Sequence, residues 1–170
     1  MYRVLLLAVL LGGCASMMGT QAPSAAQPPF EAITFEIKSW GRPIDSWAVR
    51  ADGSAEHVKM VDEDPSTFRE YTLEHRVFTV LPADYAKLSA MAAALPEPRL
   101  SRDDCDERAT DLPYGTLRLT RGEQEEAIAF DVGCLDARYQ AFVGQLRAMD
   151  AAVTEWAAKT AAVKSEPIAE

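Results

Sequence analysis

The segment AITFEIKSWGRPIDSWAVRADG at residues 32–53 decides the fold. Its apolar residues at positions 33, 35 and 37 alternate with polar ones, which is the period-two pattern of a half-buried strand. A Gly-Arg-Pro turn follows, and Trp47 and Val49 then share one face of a second strand. The Asp52-Gly53 pair that ends the segment is a strong hairpin signal. The segment therefore predicts the first strands of an antiparallel sheet.

The rest of the chain extends this pattern. Strands are predicted near 56–61 and 70–80, a helix over 82–95, a second hairpin over 115–132, and a helix from Asp136 whose apolar stripe has three-and-four spacing. The predicted fold class is α+β, with an antiparallel meander of about four strands, a helix, a second β-hairpin and a long C-terminal amphipathic helix. This order resembles that of small uncharacterised periplasmic lipoprotein domains, a resemblance that implies no particular function.

The amino terminus has the three parts of an export signal. Arg3 supplies a positive charge, an apolar run covers residues 4–11, and Gly12-Gly13-Cys14 follows. A bilayer-spanning helix needs about 20 apolar residues, so the run is too short for one. The sequence predicts a cleaved signal at residues 1–13.

Leu11-Gly12-Gly13-Cys14 resembles the lipobox of bacterial lipoproteins. The resemblance implies that Cys14 receives the lipid, that the signal is cut before it, and that the protein is held to a membrane by its acyl chains. Ala15 follows the cysteine, where an Asp favours retention at the inner membrane, so the resemblance implies the outer membrane facing the periplasm. An ordinary secretory signal containing a cysteine by chance is the alternative.

The chain divides into four predicted parts. Residues 1–13 form the signal, and residues 14–29 form the lipidated cysteine and a flexible tether rich in Ala, Ser, Gln and Pro. Residues 30–160 form a single domain. Residues 161–170 have a polar composition and are predicted to be a disordered tail.

Two cysteines remain once Cys14 is lipidated. Cys105 and Cys134 form an even pair in a chain exported to an oxidising compartment, which predicts a disulfide between them. A reactive thiol is the alternative. It is disfavoured because no Cys-x-x-Cys spacing occurs and acidic neighbours raise the pKa of a thiol.

The charge of the chain excludes one class of partner. Its 17 Lys and Arg against 26 Asp and Glu give a net charge of -9. Nucleic-acid binding requires a basic surface, so we expect no nucleic-acid partner. Membrane contact is expected only through the lipid on Cys14, and no cofactor is expected.

Three side chains are candidates for ligand binding. Trp40 and Trp47 flank the first turn and would suit a glycan or a peptide, although aromatic residues near a hairpin are more often core residues. His75 lies on the predicted fourth strand, where a partly buried ring with a hydrogen-bond partner is the alternative to a functional role.

An acidic segment is a weak candidate for a metal site. It gathers carboxylates of the kind that bind calcium, but it lacks the spacing of a known calcium loop, and a solvated loop is the favoured interpretation. The residues concerned are Asp103, Asp104, Asp106 and Glu107.

Three functions follow from these observations. The leading hypothesis is a non-enzymatic binding or scaffolding module of the envelope, with an envelope protein or glycan as its partner. The second is an envelope hydrolase that uses Asp131, Asp136 and His75. The third is a periplasmic domain stabilised by calcium. No catalytic motif is present, so the sequence leans against an enzyme.

Overall fold

The computed structural model describes residues 29–61 and 70–169. The predicted signal peptide, Cys14 and residues 15–28 of the predicted tether lie outside these residues. Within them the elements follow one another in this order: β1 (Ala32–Ser39), β2 (Arg42–Arg50), β3 (Ser54–Val61), β4 (Glu70–Thr79), α1 (Pro82–Ala93), a short 3-10 helix (Arg102–Asp104), β5 (Tyr114–Arg121), β6 (Gln124–Asp131), α2 (Ala137–Ala157) and β7 (Lys164–Ala169).

The seven strands form one antiparallel sheet in the order β6-β5-β1-β2-β3-β4-β7. The predicted fold organisation is therefore wrong. The four-stranded meander and the second hairpin are not separate, because β5 pairs along β1 over residues 32–38 and 114–120. Residues in β1 thus have a hydrogen-bonded strand on both sides, and β1 lies inside the sheet.

The chain also ends differently from the prediction. It does not finish with α2 and a disordered tail, since Lys164–Ala169 returns to the sheet as β7 beside β4. This strand is polar and has little apolar alternation, so its sequence carries no strand signal. Backbone pairing with the free edge of β4 accounts for its position.

The core lies between one face of the sheet and the two helices. Phe35 on β1 stacks against Trp47 on β2 at 5.4 Å and against Phe130 on β6 at 5.5 Å. Both helices bury one apolar stripe in the same cluster: Tyr85, Leu88 and Ala92 from α1, and Tyr139, Phe142, Val143, Leu146, Met149 and Val153 from α2. Among the described residues, neither helix combines the length and apolar character needed to cross a bilayer.

The opposite face of the sheet, called the outer face below, lies on the side away from this core. Its side chains alternate with those of the core along each strand, as period-two geometry requires. They are small, polar or charged at its centre and leave a depression of about 380 Å³ lined by Thr34, Glu36, Ser46, Ala48, Glu56, Val58, Thr116 and Arg118.

Candidate functional site

A pocket of about 400 Å³ lies at the end of the sheet where β1 and β6 finish and β2 and β5 begin. The turn between β1 and β2 forms one wall, and the loop after the 3-10 helix forms the other. We call it the Trp40 pocket. It is defined by Trp40, Arg102, Arg108, Asp111, Leu112, Tyr114 and Asp131, with smaller contributions from Gly41, Ala109 and Thr110.

Trp40 is unusual in both exposure and backbone conformation. Trp40 is 72% exposed, more than any other large hydrophobic residue of the described chain. Its φ is +52° and that of Gly41 is +80°, the pattern of a two-residue hairpin turn that normally carries Asn or Asp before Gly. A bulky residue at positive φ is a true outlier and costs about 1 kcal/mol or more. Such strain is characteristic of functional positions.

Two arginines share one buried carboxylate beside Trp40. Nε of Arg102 lies 3.3 Å from Oδ2 of Asp131, and Nη1 of Arg108 lies 3.9 Å from the same oxygen. Asp131 is only 5% exposed, and its other oxygen accepts a hydrogen bond from the Gly133 N–H at 2.9 Å. The Arg102 guanidinium also lies over the Tyr114 ring, 5.6 Å from its centroid. Asp131 therefore orients both arginines at the floor of the pocket.

A disulfide holds the loop that carries these arginines. Cys105 is bonded to Cys134 with a Cα–Cα distance of 5.8 Å, which confirms the predicted pairing. Arg108 forms an isolated β-bridge with Cys134, and its Nη2 donates to the Arg102 carbonyl at 2.8 Å. The loop is thus fixed to the start of α2 at several points, and the arginines are held in a defined geometry.

Part of the acidic segment is engaged in hydrogen bonds within the protein. Asp104 closes a capping box with Ser101, whose backbone N–H and hydroxyl donate to it at 2.7 and 2.9 Å. These hydrogen bonds hold the pKa of Asp104 below its usual value. Across residues 29–61 and 70–169, no three His, Cys, Asp or Glu side chains come together in a way that could hold a metal ion. The segment, which also contains Asp103, Asp106 and Glu107, gives no support to calcium binding.

The residues of the hydrolase hypothesis are not brought together. His75 lies on β4, 3.4 Å from Glu166 on β7. Asp131 ends β6, five strand spacings away across the sheet, which corresponds to about 24 Å. Asp136 caps α2 by accepting the Tyr139 N–H at 3.0 Å. The three residues contact different neighbours and do not form a constellation, and Nε2 of His75 makes no hydrogen bond within the described residues.

The two candidate tryptophans also separate. Trp47 is 2% exposed, stacks on Phe35, and donates from Nε1 to Oδ1 of Asp150 at 2.9 Å. It is a core residue, so only Trp40 of the predicted pair is available to a ligand. Burial raises the pKa of Asp150, and the charge of nearby Asp45 raises it further.

A second histidine, His57, is buried beside this tryptophan. Nε2 of His57 is 2.7 Å from Oδ1 of Asp45, and the two residues are 1% and 6% exposed. Nδ1 of His57 has no hydrogen-bond partner in the described part of the chain. Because both side chains are closed off beneath α2, they cannot meet a substrate, and the pair has a structural role.

Comparison with known protein families, with characterised proteins and with solved structures finds no match to this chain. The geometry of the Trp40 pocket is therefore the main indication of function. Sequence reasoning named Trp40 but missed Arg102, Arg108 and Tyr114. The available signal was the position of the two arginines on either side of Cys105, whose disulfide brings them to one place.

Proposed function

We propose that the protein is a non-enzymatic binding module of the bacterial envelope, held to the membrane by lipid on Cys14, and that it binds a glycan in the Trp40 pocket. One observation carries this proposal. A strained, exposed tryptophan faces two arginines and a tyrosine across a cavity of about 400 Å³.

A sugar ring suits this arrangement for chemical reasons. One face of a pyranose ring presents C–H groups that pack on an indole, while its edge presents hydroxyl groups that need hydrogen-bond partners. Trp40 and Leu112 offer the apolar surface, and the guanidinium groups of Arg102 and Arg108 offer donors. Ligand pockets typically combine apolar walls with a few fixed polar groups in this way.

Catalysis is disfavoured by the state of the carboxylate at the pocket. Asp131 is the most buried acid in its lining, and its oxygens already face Arg102, Arg108 and the Gly133 N–H. A catalytic acid or base must reach the reacting atom at hydrogen-bond distance. A carboxylate that is 5% exposed and fully engaged orients other groups instead.

The binding test uses the three tryptophans as separate probes. The lipoprotein is purified in detergent with 5-fluorotryptophan in place of tryptophan, so that Trp40, Trp47 and Trp156 each give a fluorine signal. It is then titrated with cellotetraose, chitotetraose and tetragalacturonate. We expect at least one of these oligosaccharides to move the Trp40 signal saturably, while the buried Trp47 signal stays in place.

Two variants make this result specific. Arg102→Ala should weaken binding, whereas Arg147→Ala, an exposed arginine on α2, should bind as the unmodified chain does. If none of the three oligosaccharides moves the Trp40 signal, or if Arg147→Ala is as defective as Arg102→Ala, the proposed glycan site is wrong.

The membrane anchor has an independent test. Cys14→Ser removes the only cysteine that the disulfide does not use. We expect the unmodified chain to sediment with membranes and to carry the mass of acyl chains, and the variant to lack that mass and to retain residues 1–13. A mature chain that lacks fatty acid would contradict the anchor.

A further inference from the structure

Resting on the proposed function, we infer that the glycan is acidic and elongated, with a carboxylate held by Arg102 and Arg108 and with neighbouring sugars on the outer face of the sheet. Three features support this inference: the free donors of Arg102, the path from the pocket to the outer face, and the charge balance along that path.

Arg102 has donors left for a second carboxylate, whereas Nη2 of Arg108 already donates to the carbonyls of Arg102 and Cys105. Arg102 contacts Asp131 through Nε, and within the described residues its two Nη groups make no hydrogen bond to the protein. Its side chain is 48% exposed, and that of Arg108 is 35% exposed. The two Nη groups of a guanidinium form a planar fork that matches the two oxygens of a carboxylate. The pocket therefore offers a docking point for one anionic group.

Asp111 works against this attraction and provides a test of it. It lies at the rim of the pocket with a φ of +67° and is exposed to solvent. Its charge is screened by water and salt more strongly than that of buried Asp131. It should weaken the binding of an anion modestly without abolishing it.

The pocket continues onto the outer face along β5. Tyr114, Thr116 and Arg118 point to the same side of this strand, in steps of about 7 Å. Tyr114 lines the Trp40 pocket, and Thr116 and Arg118 line the depression of about 380 Å³ on the outer face. The two hollows are therefore neighbours, and a ligand longer than one sugar ring would enter both.

The outer face suits the uncharged part of such a ligand. Hydroxyl groups from Thr34, Ser46 and Thr116 line the depression. Its charged side chains are already paired within the protein: Lys38 with Glu36 at 2.7 Å, Arg50 with Glu56 at 3.3 Å, and Arg118 with Glu125 at 2.9 Å. Within the described chain, only the Trp40 pocket sets two guanidinium groups against one buried carboxylate. This excess of positive charge indicates that the carboxylate of the glycan binds in the Trp40 pocket.

The experiment compares tetragalacturonate with its fully methyl-esterified form, which has the same rings but no charge. On the fluorine-labelled lipoprotein we expect the acid to bind at least about tenfold more tightly than the ester, the difference expected for a charge-assisted hydrogen-bonded pair. Arg102→Ala and Arg108→Ala should each remove most of this preference. Asp111→Asn should increase it, and Arg147→Ala should leave it unchanged.

Length is tested with galacturonic acid itself. The tetramer should bind more tightly than the monomer, and Thr116→Tyr, which fills the outer depression, should abolish that advantage while leaving the monomer unaffected. Equal affinity for acid and ester would overturn the acidic assignment, and equal affinity for monomer and tetramer would overturn the elongated one. In both cases the proposed function stands if a sugar still moves the Trp40 signal. Binding of polyglutamate as tight as that of tetragalacturonate would overturn the glycan assignment itself.

Discussion

Removing the disulfide should destabilise the domain by an amount that its position in the chain predicts. Cys105 and Cys134 are 29 residues apart. In the chain-entropy description a cross-link of that length constrains the unfolded chain by about 3.6 kcal/mol at 25 °C. For a protein of this size, replacing both residues by Ala should therefore lower the melting temperature by about 7 to 14 °C.

The assay is urea unfolding of the Cys105→Ala/Cys134→Ala double variant. Both the variant and its reference carry Cys14→Ser, so that no lipid complicates the transition. The free energy of unfolding should fall by about 3 to 4 kcal/mol, with a shift in the midpoint of the transition. Both sulfurs are buried, so the missing volume adds to the loss rather than offsetting it. A loss smaller than about 1 kcal/mol would refute the chain-entropy reasoning for this loop.

The same variant tests whether the disulfide organises the Trp40 pocket. The bond anchors the loop that carries Arg102 and Arg108, whereas Trp47 and Asp150 lie apart from it in the core. In the native state of the double variant, the Trp40 fluorine signal should broaden or shift and glycan affinity should fall. The Trp47 signal should not move. Unchanged affinity in a folded double variant would show that the disulfide does not position the site.

Four further substitutions each test one feature of the fold or of the site. Trp40→Asn should raise the free energy of unfolding by about 1 kcal/mol, because Asn tolerates positive φ, and should abolish glycan binding; a thermal melt and a titration of one sample check both effects. Gly115→Ala should prevent folding, because the added Cβ would lie 2.0 Å from a carbonyl oxygen of β1. A Cβ added at Gly144 on α2 meets nothing within 4 Å, so Gly144→Ala should raise the free energy of unfolding by about 0.5 to 1 kcal/mol. Denaturant titration measures both effects. Burial raises the pKa of Asp150 above 3.8, so the stability that protonated Asp150 contributes is complete below pH 3.8 and is lost as pH rises through its pKa in the folded protein. Asp150→Asn should remove this loss. If the melting temperatures of the two proteins stay parallel from pH 3 to 8, this expectation is wrong.

Local periodicity predicted the elements that depend on nearby residues. The apolar stripe that starts at Tyr139 is buried along α2 as its three-and-four spacing requires. The pairing of β1 with β5 joins residues far apart in the chain, and no local pattern records which strands become neighbours. The polar strand β7 was missed because backbone hydrogen bonds, which any sequence can make, hold it to β4.

The site was predicted only in part, for the same reason. The alternation of Trp47 with Val49 already places Trp47 on the core face, so its burial could have been read from the sequence. The exposure of Trp40 depends on a turn geometry that a tryptophan seldom adopts. The convergence of Arg102 and Arg108 on Asp131 requires the folded disulfide loop, and the sequence shows only that the two arginines flank Cys105.

The central position of β1 has a mechanical consequence. The chain enters the domain at Phe30, whose carbonyl accepts a hydrogen bond from the Tyr85 hydroxyl, and Trp40 follows the other end of the same strand, about 30 Å away. If the proposed lipid on Cys14 and the proposed glycan were both held in place, they would pull on opposite ends of β1. The pulling force would act along the length of β1. It would load the hydrogen bonds of β1 to β2 and β5 together, in shear, instead of breaking them one after another. A load between the proposed anchor and the proposed ligand would then be shared by many backbone hydrogen bonds at once.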